Sequence, residues 1–252
     1  MEWNIKTGHI CETGLVRKEN QDAYLAYVSS SLNVFCVADG MGGHANGKRA
    51  STAIVNGIRE WIDEFYAGKY EAGFLALLDD FEKKLADVNR QIFRFYNRGQ
   101  TCGSTLAVLI ISDKYYAVLS MGDSRIYRKR RGIFSQLTKD DTWENSDKVP
   151  SDMLSEEIRR HGNYGKLMCA LGVQESFVPH RMTDKLNSGD TFLLCSDGVY
   201  KYCDKKILAK ACGRRIRKSS TFMEEKLQLL RTNVIGRGAS DNFTAILVSV
   251  GK

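Results

Sequence analysis

The sequence predicts an α+β fold in which antiparallel β-sheets carry helices on the outside. Two adjacent stretches repeat apolar residues at intervals of three and four, which is typical of amphipathic helices. Short runs rich in β-branched and aromatic residues surround these stretches, and tight-turn sequences join some of them. The resulting order is strands, two helices, more strands, a helix and a strand, and such segregated elements are typical of α+β proteins.

The predicted helices come first. Apolar stripes over 50–65 and 74–95 form a helical hairpin with its break near 67–70, and both stripes are expected to pack against the core. A C-terminal helix is predicted over 220–234 and a short one over 152–161. The helices therefore fall into a central pair and a C-terminal element, with strands between them.

The predicted strands are short apolar or alternating runs. They cover 22–28, 33–38, 104–111, 115–121, 125–129, 191–195 and 243–250. Ser112–Lys114 and Gly122–Ser124 have the composition of tight hairpin connections, which predicts antiparallel pairing of the flanking strands. The segment 140–180 is weakly patterned, and a long insertion of this kind is often a mobile functional loop.

Composition predicts one domain over 1–252. The chain has 252 residues, of which 43% are hydrophobic, and its two prolines mark no linker. Neither a stretch long enough to span a bilayer nor a signal-peptide layout is visible, so we expect a cytoplasmic protein without membrane attachment. The seven cysteines are odd in number and scattered, which fits a reducing compartment.

The formal net charge of +7 is concentrated in RKRR (128–131) and GRRIRK (213–218). Basic runs are more often solvated faces than binding sites, although acidic phosphopeptides would benefit from them. No aromatic interleaving and no nucleic-acid-binding motif accompanies them, so no nucleic acid partner is expected. Four dispersed histidines are too few for an imidazole zinc site, and any metal should have oxygen ligands.

Aspartates stand at the ends of several predicted strands. Asp39 follows the run VFCVA, Asp197 follows DTFLLCS, and Asp241 comes just before the run NFTAILVSV. Asp123 lies in a turn, and Asp22 begins a strand. Because the end of one strand and the start of its antiparallel neighbour lie at the same edge, these five carboxylates are expected to meet.

Such a cluster calls for cations. Like charges at short range repel, and hard oxygen ligands favour Mg²⁺ or Mn²⁺. Gly40, Gly42 and Gly43 let backbone carbonyls approach an ion closely. A lone aspartate of this kind is more often a turn residue, but the set indicates a metal site. Paired divalent ions supply hydroxide at neutral pH and screen a phosphate ester, whose oxygens Arg17 can hold.

Eight short motifs follow one another along the chain. They are RKENQD (17–22), ADGMGGHANG (38–47), GST (103–105), GDSR (122–125), LTKDD (137–141), ALG (170–172), CSDG (195–198) and SDNFT (240–244). In this order the chain resembles the metal-dependent type 2C serine/threonine protein phosphatases, and DGMGGH is similar to the bacterial branch. The resemblance runs from about Gly14 to Val250 and implies a central antiparallel β-sandwich flanked by helices.

The resemblance also implies roles for the core aspartates. Asp39 would bridge two core Mg²⁺ or Mn²⁺ ions, and Asp197 and Asp241 would complete the first. These three would act in catalysis through metal-bound water. Asp22 and the carbonyl of Gly40 would serve the second ion.

Outside the core, Asp123 and Asp197 would hold a third, more labile ion, and Arg17 would bind the substrate phosphate. The implied enzyme is a hydrolase of signalling phosphoproteins, a protein-serine/threonine phosphatase that opposes a bacterial Ser/Thr kinase.

Three positions depart from the family pattern. Met41 stands where animal members carry a histidine thought to act as a general acid, and His44 is not expected to inherit that role. The leaving alkoxide would then take its proton from metal-bound water. Asp141 replaces the histidine of LTxDH, and Cys169 precedes ALG where related sequences carry arginine nearby. The last two border the loop 140–180, where substrate selection is expected to differ.

Two other classes of function were weighed. A regulatory module that has lost catalysis is disfavoured, since an idle site would tolerate replacement of its aspartates and of Arg17. A basic nucleic-acid-binding protein ranks last, and it predicts affinity for generic DNA or RNA that falls steeply with salt.

Overall fold

The computed structural model describes residues 3–42, 46–68, 73–95, 102–213 and 220–252. The strands within these ranges are β1 (Asn4–Glu12), β2 (Asp22–Tyr27), β3 (Leu32–Gly42), β4 (Cys102–Ser104), β5 (Leu106–Ser112), β6 (Tyr115–Met121), β7 (Arg125–Arg130), β8 (Ile133–Gln136), β9 (His180–Lys185), β10 (Thr191–Cys195) and β11 (Phe243–Gly251). The helices are α1 (Asn46–Tyr66), α2 (Phe74–Phe95), α3 (Ser155–Arg160), α4 (Asp197–Tyr200), α5 (Lys205–Ala211) and α6 (Ser220–Gly236).

The described strands form two sheets. One has the order β1-β11-β10-β7-β8, and the other has the order β2-β3-β5-β6-β9, with β4 pairing beside it on β3. Every pair of neighbouring strands is antiparallel. The predicted α+β class and the antiparallel pairing are confirmed.

The two sheets face each other and carry helices on their outer faces, so the layers run α-β-β-α. Successive residues of β3 show this, because Val34 and Cys36 pack against α1 and α2, whereas Phe35 and Val37 pack between the sheets. A third core cluster joins the first sheet to α4, α5 and α6. Strands covered on both faces read as continuous apolar runs, which explains why β3 shows no polar alternation.

The helical pair packs closely. A Cβ at Gly57 of α1 would lie 2.4 Å from Val88 Cγ2 of α2, so glycine is needed for this approach. The rings of Trp61 and Phe81 meet edge to face at 4.7 Å between centroids. The predicted helices over 50–65 and 74–95 are confirmed. Part of the predicted break between them, 69–70, lies outside the described residues. None of the helices in the described ranges is long and apolar enough to cross a bilayer.

Two sequence predictions about strands were wrong or incomplete. Gly122–Ser124 is not a hairpin, because β6 belongs to one sheet and β7 to the other, so the chain crosses between sheets there. By contrast, Ser112–Lys114 does join paired strands, with Ile111 opposite Tyr116. Strands β1, β8 and β9 were missed, because their mixed, partly exposed side chains give no apolar run.

The expectation of a solvated basic face was also wrong for part of RKRR. Arg128 and Arg130 are largely buried and form ion pairs with Asp184, and Arg130 also holds the fully buried Asp190. These arginines therefore join β7 to β9 and to the start of β10. Most of GRRIRK (213–218) lies outside the described residues.

Candidate metal centre

The five predicted aspartates converge at one end of the sandwich. Asp22 and Asp39 are directly opposite each other in the β2–β3 pair. Asp197 follows the end of β10, and Asp241 precedes its antiparallel partner β11. Asp123 lies where the chain leaves β6 to change sheets. Strand topology thus brings together carboxylates that are far apart in the sequence, as the sequence predicted.

A cavity of about 310 Å³ lies among these strand ends. It is lined by four of the aspartates and by Arg17, Gly40, Met41, Thr105, Gly165, Leu167 and Lys201, among others. Asp22 is 8% exposed and lies next to Asp39 on the neighbouring strand. The cavity is therefore strongly acidic, with two cationic side chains, Arg17 and Lys201, on its wall.

Burial, together with neighbouring negative charge, raises the pKa of Asp39, Asp22 and Asp123. For Asp39, burial and then the charges of Asp22, Asp197, Asp123 and Asp241 raise the pKa well above its usual value. Burial, with a contribution from Asp197, raises the pKa of both Asp22 and Asp123 to about 6. Without a counter-ion, the cluster either takes up protons or carries unfavourable charge.

Cationic side chains of the chain partly neutralise the cluster. Lys201 Nζ forms an ion pair with Asp197 Oδ2, and Arg17 Nη2 lies 2.8 Å from Asp241 Oδ2. Within the described ranges, no three histidine, cysteine or carboxylate side chains already form a cage for one ion. A divalent ion bound by Asp197 Oδ2 or Asp241 Oδ2 would displace these cationic side chains.

Two buried oxygens are available to an ion. In the part of the chain that the structure describes, Asp22 Oδ1 and Asp197 Oδ1 are buried and have no hydrogen-bond donor in bonding geometry. An unsatisfied buried carboxylate oxygen costs free energy, and a hard cation would satisfy it. Carboxylates and backbone carbonyls are the ligands that Mg²⁺ and Mn²⁺ prefer, so the residues present fit these metals.

The backbone around Asp39 is held firmly. Asp39 N donates to Thr105 Oγ1 at 3.0 Å, and Asp39 O accepts from Thr105 N at 2.9 Å. A Cβ at Gly40 would lie 2.1 Å from Gly47 O and 2.6 Å from Gln21 O, so only glycine fits there. The motifs that contain Asp39 and Thr105 thus contact each other directly.

Asp123 is fixed through a second set of contacts. Tyr200 Oη donates to Asp123 Oδ2 at 3.0 Å, and the Arg125 guanidinium lies 3.6 Å above the Tyr200 ring. Arg125 also donates from Nε and Nη2 to both oxygens of the buried Asp140. Asp140 of LTKDD and Arg125 of GDSR therefore act together to orient the tyrosine that holds Asp123.

Asn242 fixes the loop that carries Arg17. Its Nδ2 donates to Thr13 O and Glu19 O, both at 2.9 Å, and its Oδ1 accepts from Gln21 N. The sequence reasoning missed Asn242, Lys201 and Tyr200 as contributors to the site. The four-residue spacing of Asp197 and Lys201 would have indicated their ion pair, if a helix had been predicted after β10.

The predicted departures fall close to the cavity. Met41, which stands where animal members carry a histidine, is among the residues that line it. His44 lies outside the described residues. From the segment 140–180, Gly165 and Leu167 also line the cavity, which places this segment beside the site.

The fold and the site define a class of protein, the phosphatases built on an α-β-β-α sandwich with aspartates at one end. Residues 16–234 match the family described as protein phosphatase 2C, and the chain belongs to that family. The predicted family, fold class and enzyme class, a protein-serine/threonine phosphatase, are confirmed.

Three relatives illustrate the similarity. The serine/threonine phosphatase stp of Listeria innocua is 26% identical, with 94% of this chain and 92% of that protein covered. The structure of Pseudomonas aeruginosa PppA, described as a key regulatory component of T6SS, is 30% identical with a TM-score of 0.79, and 98% of this chain and 97% of that one are covered. The catalytic domain of PstP, solved with two manganese ions, is 26% identical with a TM-score of 0.76, covering 99% of this chain and 100% of that one.

Proposed function

We propose that this chain hydrolyses phosphoserine and phosphothreonine monoesters on proteins with the help of divalent Mg²⁺ or Mn²⁺ ions held by its aspartates. One observation carries the proposal: four aspartates line a cavity beside an arginine, the fifth, Asp22, is paired with Asp39, and two buried oxygens, on Asp22 and Asp197, have no donor among the described residues. A carboxylate cluster without cations would repel a phosphate ester, so the arrangement fits catalysis only with metal bound.

Each aspartate has a proposed part. Asp39 lies between the others and would contact both core ions, with Asp197 and Asp241 on one side of it. Asp22, with the carbonyl of Gly40, would serve the other side. When bound, such ions supply hydroxide at neutral pH and offset the charge of the ester. The two manganese ions of the related PstP catalytic domain support the choice of divalent metal.

A third, more labile ion is proposed at Asp123 and Asp197. Asp123 is 9% exposed and lines the cavity together with Asp197. Burial and the charge of Asp197 raise its pKa to about 6, so this pair of carboxylates gains from a shared cation.

The substrate phosphate would bind to Arg17. Its side chain is 54% exposed and lines the cavity, and it is held by Asp241 in the structure. The planar guanidinium matches two phosphate oxygens, and exchange of Asp241 for phosphate would free that carboxylate for an ion. Lys201 can likewise exchange Asp197 for the phosphate.

The physiological setting remains a prediction. Phosphoproteins are the proposed substrates, and a bacterial Ser/Thr kinase is the proposed opponent, since the similar stp of Listeria innocua is named a serine/threonine phosphatase. A cytoplasmic location and a single catalytic domain over 1–252 likewise stay predictions.

The test of this function is hydrolysis of a phosphothreonine peptide, followed by phosphate release. We expect turnover with Mn²⁺ or Mg²⁺, loss of turnover with a chelator, and recovery when the metal is restored. Turnover that persists in the chelator would contradict the metal-dependent mechanism. Absence of turnover with bound metal would instead favour a non-catalytic module.

Replacing Arg17 should weaken substrate binding more than chemistry. A hydrogen-bonded charge contributes about 1.5–3 kcal/mol, so Arg17→Ala should raise KM for the phosphopeptide about 10- to 100-fold. Arg17→Lys should give an intermediate KM, because a lysine cannot hold two oxygens in one plane. Lys18→Ala removes a neighbouring exposed cation and serves as the control, and an equal rise in its KM would argue against a specific role for Arg17.

A further inference from the structure

Asp141 makes an unusual set of contacts close to the proposed centre. Its side chain is 17% exposed. Asp141 Oδ2 accepts from Gly122 N at 2.8 Å, and Asp141 N donates to Gly122 O at 2.9 Å. The two residues therefore close a ring of two hydrogen bonds, and the next residue after Gly122 is Asp123.

His180 holds the other oxygen of this carboxylate. His180 Nε2 lies 2.6 Å from Asp141 Oδ1, and since a carboxylate only accepts, the imidazole donates. His180 is the first residue of β9, which pairs with β6 along its whole length. The imidazole thus ties Asp141 to the same sheet from which the Asp123 turn emerges.

The turn itself has little freedom. Gly122 has a φ of +95°, and a Cβ there would lie 2.9 Å from Thr105 Cγ2. Thr105 in turn makes two hydrogen bonds with the backbone of Asp39. A continuous series of contacts therefore runs from His180 through Asp141 and Gly122 to the backbone of both Asp123 and Asp39.

Asp141 also holds the segment that borders the cavity. Its carbonyl oxygen accepts from Met168 N at 2.8 Å, and the preceding residue, Leu167, lines the cavity. One residue thus contacts both the turn before Asp123 and the segment that contains Leu167. Both contacts depend on where the Asp141 backbone lies.

We propose that Asp141 and His180 are positioning residues, which act through Gly122 to place Asp123 for binding its ion. The inference rests on the proposed function, in which Asp123 holds the more labile ion. Neither residue needs to touch metal or substrate. Removing the imidazole would leave Asp141 free to rotate, and Gly122 N–H would lose a fixed acceptor.

The test combines three variants of β9. His180→Ala removes the donor, His180→Gln restores a donating amide, and Arg181→Ala is the matched control. Arg181 is the next residue and forms ion pairs with Asp79 and Glu82 of α2, away from the cavity. Thermal unfolding of each variant establishes that all three are folded.

The first measurement is Mn²⁺ binding by calorimetry without substrate. For His180→Ala we expect the Kd of the weakest site to rise about 5-fold, less than the 10- to 100-fold typical of groups that contact a metal ligand directly. His180→Gln should recover most of the affinity, and Arg181→Ala should match the wild type. At saturating Mn²⁺, kcat should stay within about 2-fold of the wild type, so that the effect appears in metal dependence alone.

The second measurement does not depend on metal. Hydrogen exchange at Gly122 N–H should be at least about 10-fold faster in His180→Ala than in the wild type or Arg181→Ala, because local opening controls exchange. Unchanged exchange at Gly122 N–H in His180→Ala would overturn the positioning role. If the wild type binds Mn²⁺, an unchanged Mn²⁺ affinity in His180→Ala would overturn it as well. A wild type that binds no Mn²⁺ would refute the proposed function instead, and the exchange result would still decide whether His180 fixes the turn.

Discussion

Asp39→Asn should abolish phosphopeptide hydrolysis and at the same time stabilise the metal-free protein. The activity should fall by more than about 100-fold, because even groups behind a metal ligand are worth 10- to 100-fold. Asp39 lies between the other aspartates, and an amide there removes the charge that would hold two cations together. Phosphate release from a phosphothreonine peptide with Mn²⁺ gives this result directly.

The stability effect has the opposite sign. Burial and the four neighbouring aspartates raise the pKa of Asp39 well above its usual value, so folding requires either a proton or an unfavourable charge. A carboxyl group whose pKa is higher in the folded than in the unfolded state makes its full contribution to stability below about pH 4. This contribution to the free energy of unfolding is lost as pH rises from about 4 towards the pKa of the folded state. The difference in the free energy of unfolding between Asp39→Asn and the wild type should therefore grow as pH rises. At pH 7.5, about 1 kcal/mol of relief would raise Tm by about 2–4 °C for a chain of this size.

Added Mn²⁺ should reverse the order of stability. A ligand at 100 times its Kd stabilises the folded state by about 2.7 kcal/mol, and only the wild type should gain this. Asp204→Asn is a suitable control, because Asp204 caps α5 by accepting from Ile207 N and lies outside the cavity. If Asp39→Asn were less stable than the wild type in a chelator, electrostatic strain at the cluster would be refuted.

Most of the fold could be predicted because strands covered on both faces are apolar throughout. The run over 115–121 and the run over 191–195 coincide with β6 and β10. The strand β9 could not be found in the same way. Its residues alternate between exposed and half-exposed, and its place comes from pairing with β6 and from the ion pairs of Arg128 and Arg130 with Asp184.

The change of sheet at Gly122–Ser124 shows a different limit. The composition Gly-Asp-Ser fits a tight hairpin, and β6 is buried along nearly its whole length, so no polar alternation tells which sheet it joins. Long-range contacts decide it, since Asp141 binds Gly122 and Arg125 binds Asp140. The same crossing is what brings Asp123 to the other aspartates.

The aspartates of the site and Arg17 could be predicted, whereas Lys201 and Tyr200 could not. Strand ends fix where Asp39, Asp197 and Asp241 lie, and strand ends are visible in the sequence. Tyr200 is the last residue of the short helix α4 and Lys201 follows it directly, and the four residues of this helix give no periodic signal. Their roles depend on side-chain contacts with Asp197 and Asp123, which only the folded chain shows.

Gly198 matters to both the fold and the site, because its lack of a side chain lets two backbone segments pack closely. A Cβ at Gly198 would lie 1.9 Å from Asn242 O and 2.9 Å from Asn242 C, and both of these are backbone atoms. Asp197 precedes Gly198 and Asp241 precedes Asn242, so two strand ends that carry proposed ligands meet at this contact. No rotation of a side chain can relieve the overlap, and the two backbones must move apart.

Gly198→Ala should therefore lower both stability and activity. We expect a loss of about 3 kcal/mol, the upper end of overpacking effects, and a fall in Tm of about 6–12 °C. A displacement near 1 Å can cost about 100-fold in rate, so hydrolysis should fall by at least that factor even below Tm. Gly162→Ala is the matched control, because a Cβ there meets nothing within 4 Å, and it should change stability by less than about 0.5 kcal/mol. A wild-type Tm and wild-type Mn²⁺ affinity in Gly198→Ala would show that the two strand ends can separate without disturbing Asp197 and Asp241, and the close packing would then have no part in forming the site.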